Sequence, residues 1–175
     1  MVVTLKAFSL LEILIVIFIM SILLVGIASP SINFLSQRAE VQKLSAKLMQ
    51  AINLARSEAL INHKKTTLCQ SNNLKDCSGA WSDGFIVREA NKTLFAFQNN
   101  SKKGVLNWRS FPKNKKYLEF LPAGLLSEQN GTFWYCYKNK LNPSFAIVLN
   151  KAGRARLLMP DSQGKVYVSS EALAC

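Results

Sequence analysis

Histidine and acid are what this chain has least of: His63 is its only histidine, and ten Asp and Glu stand against 22 Lys and Arg, leaving a formal charge of +12 over 175 residues. The sequence has no H-E-x-x-H, and G-x-S-x-G, Walker A and G-x-G-x-x-G are missing as well. His63 falls at a predicted helix end, where an imidazole caps or faces water, and nothing in the spacing of Ser, Asp and His suggests a triad. The cysteines lack the close-paired spacing of structural zinc. No enzymatic activity, cofactor or metal is therefore expected. Internal repeats and low-complexity tracts are absent too, and a hydrophobic fraction of 49%, with aromatics spread through the second half, argues against disorder.

Charge is nearly missing from Leu10 to Ala28, nineteen residues whose only ionisable side chain is Glu12. A helix rises about 1.5 Å per residue and needs roughly 20 apolar residues to cross a bilayer, so this stretch is just long enough. A lone carboxylate in such a span costs a few kcal/mol to bury and calls for a partner. Cleavage between Ala7 and Phe8 would supply one, a new positive amine at Phe8 with Glu12 four residues along the same helix face. The leader MVVTLKA is short and basic and has no apolar region of its own, unlike an ordinary secretory signal.

The run A-F-S-L-L-E, followed by sixteen apolar or small residues, resembles the class III signal of type IV prepilins and type II secretion pseudopilins. The resemblance implies a prepilin peptidase that cuts after Ala7 and methylates the amine of Phe8. It implies also that Glu12 pairs with a neighbouring subunit's amine during assembly. Ala7 stands where the family usually has glycine.

Beyond Pro30, Val41, Leu44, Leu48, Ile52, Ala55 and Ala59 recur at helical spacing, which predicts one long helix from near Phe8 to about Asn62, bent at Pro30. Arg38, Lys43, Lys47 and Arg56 fall on the opposite face, expected to be solvated or to face another subunit. From Thr66 the period shortens. Apolar runs at 66–69, 84–87, 93–97, 105–108, 117–121, 132–137, 145–149, 155–159 and 165–168 are separated by turn residues and predict strands. The expected fold is α+β, a long N-terminal helix, transmembrane and then amphipathic, packed on antiparallel sheets. It divides into a leader (1–7), a membrane and assembly half-helix (8–29), an amphipathic half-helix (30–62) and a β-rich domain (63–175).

All four cysteines lie beyond the span, in what would be the exported part, where an even number favours disulfides. Of the three possible connectivities, Cys69 with Cys77 and Cys136 with Cys175 are preferred. The first closes a short loop and the second ties the C-terminus to a strand.

Positive charge in this part is clustered. Lys102, Lys103, Arg109, Lys113, Lys115 and Lys116 occur without an acid between them, and Lys138, Lys140, Lys151, Arg154, Arg156 and Lys165 occur with only Asp161. Such clusters suit phosphate backbones, and equally a solvated face or an anionic lipid surface. The second cluster includes a predicted hairpin, with Asn150-Lys151-Ala152-Gly153 as its turn. Arg154 and Arg156, two apart, share one sheet face, and guanidinium forks grip phosphate through paired hydrogen bonds. Gly153 serves the turn and would let backbone approach a ligand.

G-R-A-R at 153–156 resembles the G-R-x-R motif of FimT-type minor pilins, relatives of the GspH pseudopilins, in which it is implicated in binding DNA for natural transformation. Gly153, Arg154 and Arg156 carry that resemblance, while Lys138, Lys140, Lys151 and Lys165 are added on electrostatic grounds. The expected partners are DNA, other pilins, the prepilin peptidase and, before assembly, the inner membrane, with the β-rich domain periplasmic or on a pilus. The alternative is a structural tip or priming pilin, or a GspH-like secretion pseudopilin, that does not bind DNA.

Mass spectrometry of membrane-extracted protein is expected to show a chain that begins at an N-methylated Phe8. An intact Met1 in cells with active prepilin peptidase would contradict the cleavage. Glu12→Ala is expected to leave cleavage intact and to impair incorporation into a pilus.

Overall fold

A computed structural model describes residues 9–112 and 115–175, without the side chains of residues 24–34. Ala7, Phe8 and Lys113 therefore lie outside the described residues, as does part of the predicted span 8–29. Helix α1 runs from Leu10 to Asn62, its backbone helical through Pro30. Glu12 is exposed in the first turn. Among the described residues no helix is long and apolar enough to cross a membrane. The chain divides into two compact units, residues 1–40 and 41–175. In the first, the large apolar side chains from Leu10 to Leu23 are all at least half exposed. From Leu10 to Leu23, therefore, the helix buries none of its large apolar side chains.

In the second unit the helical period has direct structural meaning. Val41, Leu44, Leu48, Ala51, Ile52, Ala55 and Ala59 are buried on one stripe. Alanines at 51, 55 and 59 keep that stripe low, so strands can lie close against it. The helix ends at His63, whose backbone adopts the left-handed conformation (φ 52°) that commonly terminates helices. Asn62 then donates to the carboxylates of Glu58 and Glu89, at 3.0 and 2.8 Å. The Asn62 hydrogen bond and, after it, that from Lys64 hold the Glu89 carboxyl below the usual carboxylate range.

Ten strands follow: β1 (Thr66–Gln70), β2 (Gly84–Glu89), β3 (Lys92–Gln98), β4 (Gly104–Phe111), β5 (Tyr117–Phe120), β6 (Asn130–Tyr137), β7 (Phe145–Leu149), β8 (Ala155–Leu158), β9 (Tyr167–Val168) and β10 (Glu171–Ala172). They form two four-stranded antiparallel sheets, ordered β3-β2-β1-β5 and β4-β6-β7-β8, and a ribbon of β9 and β10. Of the ribbon, the run 165–168 anticipates β9, whereas β10 is missed, a two-residue strand being too short for alternation to register. One core joins the helix stripe to Leu68, Phe85, Val87, Leu118 and Phe120 of the first sheet and to Leu106, Phe133, Tyr135, Phe145, Ile147 and Leu149 of the second. Burying a side chain of this size contributes about 1.5–3 kcal/mol.

Two of the helix cations expected on an open face are instead packed. Lys47 is half-buried with its ammonium 5.9 Å from the centre of the Phe95 ring, and Arg56 is half-buried with its Nε donating to the carbonyl of Gly124 at 3.2 Å. Their long aliphatic stems cover apolar surface while their heads find partners, so charge alone misplaces them. Arg38 and Lys43 are exposed.

The structure joins Cys69 to Cys77 and Cys136 to Cys175. The second bond, with the Cys175 N–H donating to the Leu141 carbonyl at 2.9 Å, holds the C-terminal segment on the outer face of the second sheet. There Val166 and Leu173 are buried against Ala146, with Trp134, Leu158 and Val168 alongside. Replacing both Cys136 and Cys175 by Ser is expected to lower stability by about 2–4 kcal/mol. Limited proteolysis is expected to cut first at Lys165, whereas the oxidised wild type resists.

Candidate nucleic-acid interface

The β7–β8 hairpin is built by its turn residues. Gly153 N–H donates to the Asn150 carbonyl at 3.0 Å, and Asn150 N–H to the Arg154 carbonyl at 3.2 Å. The Asn150 side chain accepts from Arg154 N–H at 3.0 Å. Gly153 sits at φ 70°, a conformation that L side chains rarely adopt. It is also buried, and a Cβ there would collide with the carbonyl oxygen of Gly124. Gly153 thus brings its backbone close to the protein's own, at Gly124. Arg56 holds the same Gly124 carbonyl from the helix, and Leu126 N–H donates to the Lys151 carbonyl at 3.0 Å. The root of the hairpin is clamped to the helix and to the 121–126 turn.

From this root Lys151, Arg154 and Arg156 project into solvent. No ion pair recorded among the described residues engages them. The strand register then places a further cation on their face. Arg156 lies opposite Val148, Val148 opposite Thr132, and Thr132 opposite Arg109. Arg109 and Arg156 therefore end one row across four strands, about 14 Å apart at the usual strand spacing. Arg109 is exposed and came from the other linear cluster, so no reading of neighbouring residues could have placed it here.

Other members of the predicted patch are elsewhere. Lys138 and Lys140 follow the far end of β6, about 20 Å along the strand from Gly131, which pairs with Leu149 at the hairpin end. Lys138 N–H donates to the Lys103 carbonyl at 2.7 Å, so the two basic runs of the sequence meet at that far end. Lys165 belongs to the turn before the ribbon, closed by Asp161, whose side chain accepts from Lys165 N–H at 2.9 Å. The ribbon packs beside Ala146 and Leu158, and leaves Arg109, Arg154 and Arg156 exposed. Among the described residues no group of His, Cys, Asp and Glu is arranged to hold a metal ion.

A family model described as type II transport protein GspH matches residues 45–153. The chain belongs to the GspH family. The fold agrees with this. The type IV minor pilin FimU of Pseudomonas aeruginosa, in one crystal form, superposes with a TM-score of 0.56 at 19% identity, over 78% of this chain and 99% of that one. In a second crystal form the TM-score is 0.51 at 17% identity, over 77% and 99%. The minor pseudopilin EpsH from the type 2 secretion system of Vibrio cholerae gives 0.45 at 14% identity, over 69% and 97%. A comparison with curated proteins finds no match. The GspH match ends at the hairpin glycine, and the two arginines follow immediately after it.

Within this GspH-family domain, Gly153 and Gly164 separate two costs. Both have positive φ, but a Cβ at Gly164 meets nothing within 4 Å. Gly164→Ala is expected to cost about 1 kcal/mol from backbone conformation alone, and Gly153→Ala up to about 3 kcal/mol because it also pushes the hairpin off Gly124. Thermal unfolding of the two variants side by side measures the difference.

Proposed function

We propose that this chain is a minor type IV pilin that binds DNA without sequence preference and serves uptake in natural transformation. The observation that carries the reading is the hairpin, which presents Lys151, Arg154 and Arg156, unpaired and exposed, beside Arg109. Arg156 and Arg109 on one sheet face, with no acid between them in the register, and Lys151 and Arg154 at the adjoining turn form a surface for phosphates, and phosphate contacts position a duplex without reading its sequence. The exposed apolar helix of the first unit supports incorporation through residues 8–29. It lies in the inner membrane before assembly and against other pilins afterwards, with processing by prepilin peptidase between Ala7 and Phe8. Lys138 and Lys140 are too far along the sheet to share the central contact and add only to the longer-range field, while Lys165 belongs to the separate turn before the ribbon.

The family description favours a second reading, a secretion-system pseudopilin that contacts only other subunits. Binding of the full-length chain in detergent to duplexes of unrelated sequence separates the two. With about four phosphates neutralised, the logarithm of affinity is expected to fall with the logarithm of salt at a slope near −3.6. Arg154→Gln with Arg156→Gln is expected to remove about 1.8 of that slope and most DNA uptake, and to leave pilus assembly intact. Lys102→Gln with Lys103→Gln, at the far end of the sheet, is the control for charge in general. Normal binding by the arginine variant would refute the hairpin assignment, and no binding by the wild type would favour the pseudopilin.

A further inference from the structure

Strand β4 is an edge of the second sheet, paired on one side only. Along it runs an open groove of about 840 Å³, and all three tryptophans of the chain, Trp81, Trp108 and Trp134, line it. Trp81 is 5% exposed, packed edge-on to Phe133 at 4.8 Å, and Trp108 lies over the same ring at 4.2 Å. The Trp108 indole N–H is used, donating to the Lys115 carbonyl at 2.8 Å. The indole N–H groups of Trp81 and Trp134 are buried and have no hydrogen-bond partner.

The rim carries Arg109, Lys115 and Lys116, and no acid lines the groove. Glu119 and Glu128 lie in a separate small cleft on the other side of Lys115, and Glu119 is engaged by Lys65 at 3.2 Å. A cationic rim and aromatic rings are together the chemistry that holds single-stranded nucleic acid, with phosphates on the cations and unpaired bases against the rings. The volume is in the range of small-ligand sites and is enough for a few unpaired nucleotides.

Resting on the DNA-binding reading above, we infer that this groove takes unpaired nucleotides of a DNA strand, such as the frayed end of the duplex held by the hairpin. Arg109 is the link, since it both lines the groove and closes the row that begins at Arg156. A strand crossing the outer face from Arg156 to Arg109 enters the groove directly.

Because every tryptophan of the chain lines the groove, its intrinsic fluorescence reports on this site alone. The full-length chain in detergent is titrated with oligothymidylate, with a blunt hairpin duplex of equal phosphate count, and with polyglutamate. Oligothymidylate is expected to quench saturably and to bind the groove roughly tenfold more tightly than the duplex does. Lys115→Gln with Lys116→Gln is expected to lower the magnitude of its salt slope by about 1.4, two contacts at the single-strand value. Arg154→Gln with Arg156→Gln is expected to lose duplex binding, followed by a label on the DNA, and to retain the quenching. Equal quenching by duplex or by polyglutamate, or none by oligothymidylate, overturns the groove assignment. The labelled duplex tests the hairpin independently, so failure of either site is recognised without the other.

Discussion

The second unit depends on one packing constraint, the burial of a single helix stripe under the inner faces of two sheets. Leu48, Ala51, Ile52, Ala55 and Ala59 are fully buried there against strands whose alternate residues point inward. Alternation has a period of two, so committing Phe145, Ile147 and Leu149 to the core commits Ala146 and Val148 to the opposite face, and with them Arg156 across the ladder. A slip of one residue would turn the arginine into the core, where an unpaired guanidinium is far too costly. The position of the cationic surface is thus a consequence of hydrophobic burial on the other side of the sheet.

A second, more local constraint holds the hairpin in place. Two glycine backbones, Gly124 and Gly153, approach more closely than any side chain would allow, and Arg56 bonds the carbonyl between them. The arginines outside therefore stand on a root that cannot swing. A preorganised set of donors loses less freedom on meeting phosphate than the same residues would on a loose loop. The conformational cost of the Gly-Arg-x-Arg turn is met within the fold, and its charged side chains are left for solvent or ligand.

The C-terminal ribbon acts as a divider. Tied by the Cys136–Cys175 bond, it covers the outer face near Ala146 and leaves the end nearer Arg109 and Arg156 uncovered. The two basic runs of the sequence are re-sorted by this geometry. Lys102 and Lys103 join Lys138 at one end of the sheet, and Arg109 joins Arg154 and Arg156 at the other. Membership of a linear cluster says little about which charges act together. Which charges face a ligand together is set by distance across strands and not along the chain.

Local patterns were enough for much of the architecture. The helix stripe, nine of the ten strands and the hairpin turn at Asn150–Gly153 can all be read from spacing and residue type, because helices, strands and turns are set by interactions within a few residues. Folding alone decided that Gly153 faces inward against Gly124, that Arg56 is spent on that contact, that Lys138 and Lys140 lie far from the hairpin, and that three tryptophans far apart in the chain meet along β4. Each of these depends on strand order and register. Those are fixed by the joint burial of residues distant in sequence, and no local window contains that information.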